Sequence, residues 1–417
     1  MPRTRSVSRR EFIAGTVAAT AAGPLLTSAA AAQDQKPAPA ALTRKVKLGV
    51  VGLGGRGHWI AGLFAKHGGY DVHAVADYFP HVADEQGTAL GVDPSRRFSG
   101  LSGYKRLIAS GIEAIALEDL PYFFPEQVRD AVDAGLHVYM AKPIASDVPG
   151  VLSVRESAKR ATAKQRVFLV DYQMPTDPHN AEVIRQIRSG GLGRLQTVFS
   201  AGAAGGPTGF DDPPFTENLE SRLQKLIWVN DDALGCGYIG NYDIHVIDIV
   251  LRALGKVPVS ASGWGARFRA EPHGDALDSV CTMFTFDDGM VWNHQSPKGK
   301  CELWFSSNGS LAAEIQGSDA SARLSYWGKA YLRGGPHHVP GGDVENLYEA
   351  GPVRNIATFY EAVTGGHTEN ESVQPAVDSA LVSILGREAA ARRTTVTMTD
   401  ILKENRPLTM DLKGLKA

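Results

Sequence analysis

The 417-residue chain has few cysteines, almost no excess charge and no long, strongly apolar run. Its three cysteines, Cys236, Cys281 and Cys301, include no C-x-x-C pair, and they are too scattered for a disulfide framework or a closed zinc site. The 43 Lys and Arg residues against 45 Asp and Glu give a net charge of −2, which offers no polycationic surface to a nucleic acid. We therefore expect a globular protein of about two to three domains, with no metal centre and no nucleic-acid partner.

Residues 1–32 have the three parts of an export signal. Four arginines lie among the first ten residues, a mildly apolar run extends from Phe12 to Leu26, and alanines at 29–32 offer cleavage sites. The S-R-R-E-F-I stretch at 8–13 resembles a twin-arginine signal, whose pathway carries folded proteins. The alternative is a basic N-terminus with no targeting role before an Ala-rich stretch. We predict export to the periplasm by the twin-arginine pathway, with a linker at 33–44.

The predicted leader also bears on membranes and cofactors. Its apolar run is too short and too rich in Ala and Gly to span a bilayer, so we expect no integral membrane segment. Removal of residues 1–32 takes away four Arg and one Glu and leaves a net charge of −5, which disfavours anionic membrane surfaces. A passenger exported in the folded state can carry a cofactor acquired in the cytoplasm.

Strand and helix patterns alternate in the first part of the chain and then give way to strands. Up to residue 172, β-branched apolar runs alternate with helical spacings, which is typical of a doubly wound parallel sheet. Strands are predicted at 45–51, 70–76, 112–117, 137–140 and 167–172, with helices at 58–67, 103–110, 125–134 and 147–163. Later, helices at 178–189 and 241–254 precede segments that predict a mostly antiparallel sheet, at 257–266, 277–286, 289–295, 301–306, 310–315 and 322–327. Two helices, at 352–364 and 373–392, follow. The fold class is therefore α/β, with domains at 45–172 and 173–417.

A glycine-rich loop follows the first predicted strand. It fits the pattern G-x-G-x-x-G with the residues Gly52, Leu53, Gly54, Gly55, Arg56 and Gly57. Such glycines allow a tight turn, the approach of a pyrophosphate to the backbone, and close packing of helix on sheet. The alternative is a glycine-rich turn in a nucleotide-free domain. Because the loop joins a strand to a helix and Asp77 ends the next strand twenty residues later, the context favours a dinucleotide.

Asp77 bears on the choice of dinucleotide. A carboxylate at this strand end accepts hydrogen bonds from the ribose hydroxyls and repels a 2′-phosphate, so NAD is favoured over NADP. Arg96 and Arg97 follow in the sequence and could accept that phosphate, which keeps NADP possible. The alternative is that both arginines are solvated surface charges.

Two further segments carry chemistry. Lys142 ends a predicted strand, where a lysine can bridge a cofactor and a substrate hydroxyl, although an ordinary surface lysine is the alternative. In the helix at 241–254, Asn241, His245 and Asp248 share one face, apart from the apolar residues of the core face. His245 there could move a proton near neutral pH. The alternative is a core histidine bonded to Asp248.

Together these features resemble the Gfo/Idh/MocA family, which includes glucose–fructose oxidoreductase and inositol dehydrogenase. The resemblance covers about residues 45–400 and rests on Asp77 and three stretches, V-V-G-L-G-G-R-G at 50–57, A-G-L-H-V-Y-M-A-K-P-I-A at 134–145 and I-H-V-I-D-I-V-L-R-A-L-G-K-V-P at 244–258. It implies a Rossmann domain, a second domain with a large open sheet that builds dimers or tetramers, and hydride transfer between a nicotinamide and a sugar or cyclitol. By position, Lys142 would contact cofactor and substrate, and His245 would exchange the substrate's hydroxyl proton.

The sequence departs from the family pattern at two positions. Ala141 stands where the family's E-K-P motif has its acid, and Asn241 stands where an acid usually precedes the histidine by four residues. Asn cannot stabilise an imidazolium as a carboxylate does, but it can still orient an imidazole. For this reason we count Asn241 among the catalytic candidates. Asp243 is a poor replacement because it lies about 200° from Asn241 around the helix.

Further substrate-pocket candidates each have a structural alternative. They are Tyr172, Asp177, Trp228 and Tyr242. The three aromatic residues could instead belong to the core, and Asp177, which precedes Pro178, could cap a helix.

Three functions remain open. The first is an exported NAD-linked oxidoreductase that keeps its cofactor and oxidises one sugar while reducing another. The second is a glycosidase that uses NAD for a transient oxidation, which acidifies the adjacent C–H and allows cleavage by elimination. The third, suggested by Ala141 and Asn241, is a non-catalytic protein that binds a sugar or nucleotide.

Overall fold

A computed structural model describes residues 42, 44–202, 217–269, 272–297 and 311–417. The predicted export signal, nearly all of the predicted linker, Cys301 and the strand predicted at 301–306 lie outside the described residues. In the part of the chain that is described, no helix has the length and apolar character needed to cross a membrane.

The first part of the chain builds a six-stranded parallel sheet with the order β3-β2-β1-β4-β5-β6. Its strands are β1 (Val46–Val51), β2 (Tyr70–Asp77), β3 (Arg97–Ser99), β4 (Ala114–Leu117), β5 (His137–Ala141) and β6 (Phe168–Asp171). Five helices connect them, α1 (Gly55–His67), α2 (Pro80–Ala89), α3 (Gly103–Ile108), α4 (Phe124–Asp133) and α5 (Val148–Ala163), with a short 3-10 turn at Pro94–Arg96. The strand order reverses between β1 and β4, so a crevice opens there at the carboxyl ends of the strands.

The central strands of this sheet are mostly apolar, as is typical of a parallel sheet with both faces covered. Every residue of β4 is buried, and so is every residue of β1 except Lys47. The predicted doubly wound parallel sheet is confirmed.

The second sheet has nine strands in the order β14-β13-β12-β11-β7-β10-β9-β8-β15. They are β7 (Leu195–Gly202), β8 (Ser260–Ala266), β9 (Ser279–Thr285), β10 (Val291–Pro297), β11 (Leu311–Gly317), β12 (Ala320–Ser325), β13 (Gly328–Gly334), β14 (Val339–Val344) and β15 (Thr395–Thr397). Among the described strands of this second sheet only β7 and β10 pair in parallel, which confirms the mostly antiparallel sheet. Buried and exposed residues alternate along β9, so one face of the sheet is covered.

Eight described helices accompany this sheet. They are α6 (Pro178–Arg188), α7 (Leu219–Arg222), α8 (Asp232–Gly235), α9 (Gly237–Asn241), α10 (Ile244–Leu254), α11 (Leu347–Gly365), α12 (Val373–Arg392) and α13 (Met398–Glu404), with 3-10 turns at Met174–Thr176 and Ile227–Asn230. The sequence predicted one helix over 241–254, but the structure divides that region between α9 and α10. It also adds α2, β7, β13 and β14, which the sequence patterns did not indicate.

Helix α11 returns to the first sheet. The Tyr70 hydroxyl donates to the Ile356 carbonyl oxygen at 2.8 Å, and Phe359 and Tyr360 are buried in the same apolar cluster as Phe64 of α1. The chain therefore crosses from the second sheet back to the first.

Candidate functional site

The glycine-rich loop shapes the start of α1. Gly52 has a φ of +82°, and a Cβ there would lie 2.7 Å from the Asp119 backbone nitrogen. A Cβ on Gly57 would lie 1.9 Å from the Gly52 carbonyl oxygen. By contrast, a Cβ on Gly54 or Gly55 would meet no described atom within 4 Å. The first and last glycines thus serve turn and packing, while the middle two leave the N-terminus of α1 open to an anion such as a pyrophosphate.

Asp77 is tied to this loop. Its Oδ2 accepts the Leu53 N–H at 2.8 Å, and its Oδ1 accepts the Phe79 N–H at 2.9 Å. Burial raises the pKa of Asp77, and these two backbone N–H groups oppose that increase. Each carboxylate oxygen keeps a further lone pair, so the group can still accept hydrogen bonds from ribose hydroxyls.

The two arginines that could have accepted a 2′-phosphate have partners of their own. Arg97 donates to the Val92 carbonyl oxygen at 2.6 Å and to the Thr88 hydroxyl at 2.8 Å. Arg96 lies 3.3 Å from the His73 ring. Both arginines therefore have partners within the fold, and Asp77 is the charged residue that contacts the glycine-rich loop at Leu53.

Two carboxyl groups flank Ala141 at the carboxyl edge of the first sheet. Strands β4 and β5 pair Leu117 with Met140, and strands β5 and β6 pair Ala141 with Asp171. Leu117 and Met140 are paired, and Glu118 and Ala141 are the residues that directly follow them. The ends of the three strands therefore place Glu118, Ala141 and Asp171 side by side in a row. The small alanine leaves room between two acids, and the sequence did not reveal this arrangement.

Arg56 bridges the two acids. Its Nη2 lies 2.7 Å from Asp171 Oδ2, and its Nε lies 3.8 Å from Glu118 Oε2. On its outer side the guanidinium lies 5.6 Å from the ring centre of Trp59 and 5.5 Å from that of Tyr348. The two rings stack on each other at 4.9 Å. Arg56 occupies one of the unspecified positions of the G-x-G-x-x-G pattern, and its contacts hold this cation in place at the site.

Glu118 is the most perturbed carboxyl of this group. Its side chain is 1% exposed, and its Oε1 has no hydrogen-bond partner among the described residues. Burial raises its pKa to about 8, although Arg56 opposes the increase. The carboxyl therefore holds its proton at neutral pH and can donate as well as accept a hydrogen bond.

Lys142 connects the two parts of the molecule. It follows β5, and its Nζ donates to the Asn241 carbonyl oxygen of α9 at 2.6 Å. Burial, and next the charge of Arg56, lower its pKa to about 7. The predicted candidates Lys142 and Asn241 are thus brought together, with Asn241 contributing its backbone oxygen, and the lysine can lose a proton near neutral pH.

His245 lies in the first turn of α10. Its ring makes edge contacts with Tyr326 at 5.3 Å and Tyr172 at 6.4 Å between centroids. Burial, followed by the positive charges of Lys142 and Arg56, lowers its pKa well below the usual value. Its Nδ1 is buried without a hydrogen-bond partner among the described residues. The imidazole is therefore neutral and has a nitrogen to offer to a ligand.

Neither nearby aspartate orients His245. Asp248 accepts from Arg252 Nε at 2.8 Å and from the Ser379 hydroxyl at 3.2 Å. Asp243 lies 3.1 Å from His294 Nε2 on β10, as expected for a residue on the other side of the helix. The alternative of a core histidine bonded to Asp248 is thus not what the structure has.

The four residues predicted to line a substrate pocket have different surroundings in the structure. Tyr172 is buried beside His245, and Tyr242 stacks on Tyr238 at 5.1 Å immediately after Asn241. Asp177 Oδ1 accepts hydrogen bonds from the N–H groups of His179 and Asn180 at 3.0 Å. Asp177 is therefore the cap of α6, which is the alternative predicted from its position before Pro178. Trp228 packs beside Leu120 and Leu234, near the ends of β2 and β4.

Sequence patterns missed Glu118, Asp171, Gln173, Tyr326 and Tyr348. Glu118 and Asp171 each stand at the end of a buried strand, which is a signal that could have been used. Gln173 and Tyr326 are different, because the hydrogen bond between them joins residues 153 positions apart. Within the described residues, no group of His, Cys, Asp and Glu is arranged to hold a metal ion.

Comparisons with known proteins show the fold. Neither a protein-family model nor a curated protein matches the chain. Among solved structures, an inositol dehydrogenase homologue from Azotobacter vinelandii in complex with NAD+ superposes with a TM-score of 0.67 at 19% identity, over 85% of this chain and 98% of the other. An aldose–aldose oxidoreductase from Caulobacter crescentus complexed with glycerol gives 0.65 at 19%, over 85% and 100%. A levoglucosan dehydrogenase in complex with NADH and levoglucosan gives 0.65 at 17%, over 85% and 100%. The chain shares with these proteins a Rossmann sheet followed by a larger, mostly antiparallel sheet.

Proposed function

We propose that this protein is an NAD-dependent oxidoreductase that moves hydride between a nicotinamide and the hydroxyl-bearing carbon of a sugar or cyclitol. The observation that carries the proposal is the placement of an open glycine loop and Asp77 at the same edge of the sheet as Lys142, which in turn contacts α9 close to His245. The solved structures named above add support, since two of them hold NAD+ or NADH. Asp77 favours NAD over NADP, because a carboxylate repels a 2′-phosphate.

The residues of the site divide the work of such a reaction. When bound, NAD supplies the acceptor for the hydride. Lys142, with a pKa of about 7, accepts the hydroxyl proton as the carbon is oxidised and returns it in the reverse direction. The neutral ring of His245 binds the same hydroxyl or its neighbour. Arg56 and Asp171 form an ion pair at 2.7 Å, so their opposite charges balance at the site.

We further propose that the enzyme is exported and keeps its cofactor. The leader at 1–32 motivates export by the twin-arginine pathway to the periplasm. Since no pool of free NAD is expected there, the enzyme would run a closed cycle that oxidises one sugar and reduces another. No feature of the described residues favours glycoside elimination or a binding-only role over simple hydride transfer.

A homo-oligomer completes the proposal. One face of the second sheet carries Phe199 on β7, Met283 on β9 and Trp264 on β8, which are 47%, 45% and 62% exposed. Apolar side chains exposed together on a sheet face mark an interaction surface. We therefore expect a dimer or tetramer that covers this face.

Cofactor content is the first test. The protein would be expressed with its leader, purified, denatured, and examined by mass spectrometry for released nucleotide. We expect stoichiometric NAD, and then turnover of sugar pairs that is lost in Lys142→Met and in His245→Ala. Lys66→Ala, at an exposed position in the last turn of α1, is the matched control. A protein that is empty and also fails to bind added NAD would refute the proposal.

A further inference from the structure

The chain crosses the first sheet once more after α13. Four backbone hydrogen bonds tie residues 405–417 to it. The Leu408 N–H donates to Asp147 Oδ2 at 2.7 Å, and the Met410 N–H donates to the Tyr122 hydroxyl at 3.2 Å. The Lys416 N–H donates to the Tyr78 hydroxyl at 3.1 Å, and the Lys416 carbonyl oxygen accepts the Leu101 N–H at 3.0 Å. The segment thus extends from the start of α5, past the loop after β4, to the loops after β2 and β3.

Apolar side chains anchor the same segment. Met410 and Leu415 pack into a small cluster that is separate from the two main cores. The other members of the cluster are Leu120, Leu223, Leu234, Tyr78, Phe79, Tyr122, Phe123, Leu219 and Trp228. The Lys416 ammonium adds an ion pair with Glu220 of α7 at 3.3 Å, and the Tyr78 hydroxyl also donates to Glu220 at 3.0 Å. Backbone, apolar and charged contacts therefore all fix this segment in one place.

That place is the adenosine end of a dinucleotide crevice. In a doubly wound sheet the ribose of the adenosine lies against the acid that ends β2, and the nicotinamide lies towards the strands on the other side of the switch point. Tyr78 and Phe79 directly follow Asp77, and Leu120 and Tyr122 follow β4. The segment therefore contacts the walls of the adenosine half. It leaves Gly54 and Gly55 open, where the pyrophosphate would bind.

We propose that residues 405–417 form a strap that closes over the adenosine half of bound NAD and slows its release. The proposal rests on the proposed NAD binding and goes beyond it, since it names the element that retains the cofactor. A nucleotide beneath the strap can leave only when these contacts open, so its dissociation rate follows the population of the open state. The apolar anchor, Met410 with Leu415, sets that population.

The test measures release of NADH from the intact protein. The loaded protein is mixed with excess NAD, and the loss of bound NADH fluorescence gives the dissociation rate. Leu415→Asp and Met410→Asp place a charge in the apolar cluster, and we expect each to raise the rate by about tenfold or more. Lys413→Asp adds an acid at an exposed position of the same segment and is expected to release NADH as the wild type does.

Each outcome decides the question. Equal release rates in the wild type and Leu415→Asp would overturn the strap but leave NAD binding intact. Binding of NADH by Leu415→Asp and not by the wild type would show that the segment blocks the site, which also overturns the proposal. Binding by none of the proteins would overturn both the strap and the proposed function.

A measurement on the wild type covers the case in which the variants do not fold. Backbone amide exchange of residues 408–416 is compared with and without NADH, with the α13 amides as an internal reference. We expect slower exchange in the loaded protein because the bound nucleotide holds the strap closed. Identical exchange in both forms would overturn the proposal.

Discussion

Glu118→Gln should change how the stability of the protein depends on pH. The pKa of Glu118 is raised from 4.5 to about 8 by burial. Between these two values the folded protein holds a proton on Glu118 that the unfolded chain has lost. The free energy of unfolding therefore falls as the pH rises through this window. Glutamine keeps the shape of the side chain but cannot titrate, so the variant lacks this contribution.

The size of the effect follows from the shift. One pKa unit corresponds to about 1.4 kcal/mol. A change from 4.5 to about 8 therefore predicts that the wild type loses up to about 5 kcal/mol relative to Glu118→Gln between about pH 5 and about pH 8. Asp119 and Asp243, whose pKa values burial raises to about 6, titrate in both proteins and largely cancel in the comparison.

Urea denaturation of the nucleotide-free proteins across this pH range measures the difference. Glu345→Gln, at an exposed position, is the matched control and should follow the wild type at every pH. Stability curves for Glu118→Gln that stay parallel to the wild type would refute the reasoning, because they would show that Glu118 titrates as an ordinary glutamate.

Four further predictions concern the site and the assembly. In the direction of hydroxyl oxidation, kcat/KM should rise with pH through about 7 and then level off as Lys142 loses its proton, and Lys142→Met should lower it by about 10²- to 10⁴-fold and abolish the step. Asp77→Asn should shift the ratio of NADP to NAD dissociation constants by about tenfold towards NADP, measured by titration of the nucleotide-free protein. Ala141→Glu should cost about 1–3 kcal/mol in urea denaturation, because a third carboxyl would crowd Arg56. Trp264→Asp should lower the mass seen by light scattering, and an unchanged mass would exclude that sheet face as the interface.

Local patterns were enough to predict the turn geometry of the glycine-rich loop. The loop, the first turn of α1 and Asp77 lie within about one β-α-β unit, and the bond from the Leu53 N–H to Asp77 joins residues only 24 positions apart. Lys142 was also predicted from local signals, because the end of a buried parallel strand faces the crevice in any such sheet. The placement of residues that depends on one strand and its neighbouring turn was therefore accessible from the sequence.

The row that surrounds Ala141 was not accessible in this way. Ala141 reads in the sequence as a lost acid, whereas the structure places Glu118 on one side of it and Asp171 on the other. Recognising this requires the register of three strands and the path of the Arg56 side chain. The strap formed by residues 405–417 was missed for a similar reason. Its hydrogen bonds with Tyr122 and Tyr78 join residues 288 and 338 positions apart, and such contacts leave no periodic pattern in the sequence.

The charges around the row bear on the pH dependence predicted for Lys142. Arg56 is paired with Asp171 at 2.7 Å, Glu118 keeps its proton up to a pH of about 8, and burial keeps His245 neutral. Lys142 is then the group of this set whose charge changes close to neutral pH. A site with balanced charge suits an uncharged sugar or cyclitol better than an anionic substrate. Because Glu118 is uncharged up to a pH of about 8, Glu118→Gln removes no charge near Lys142 at neutral pH, so the variant should keep the pH step of kcat/KM near 7 while it changes the pH dependence of the stability.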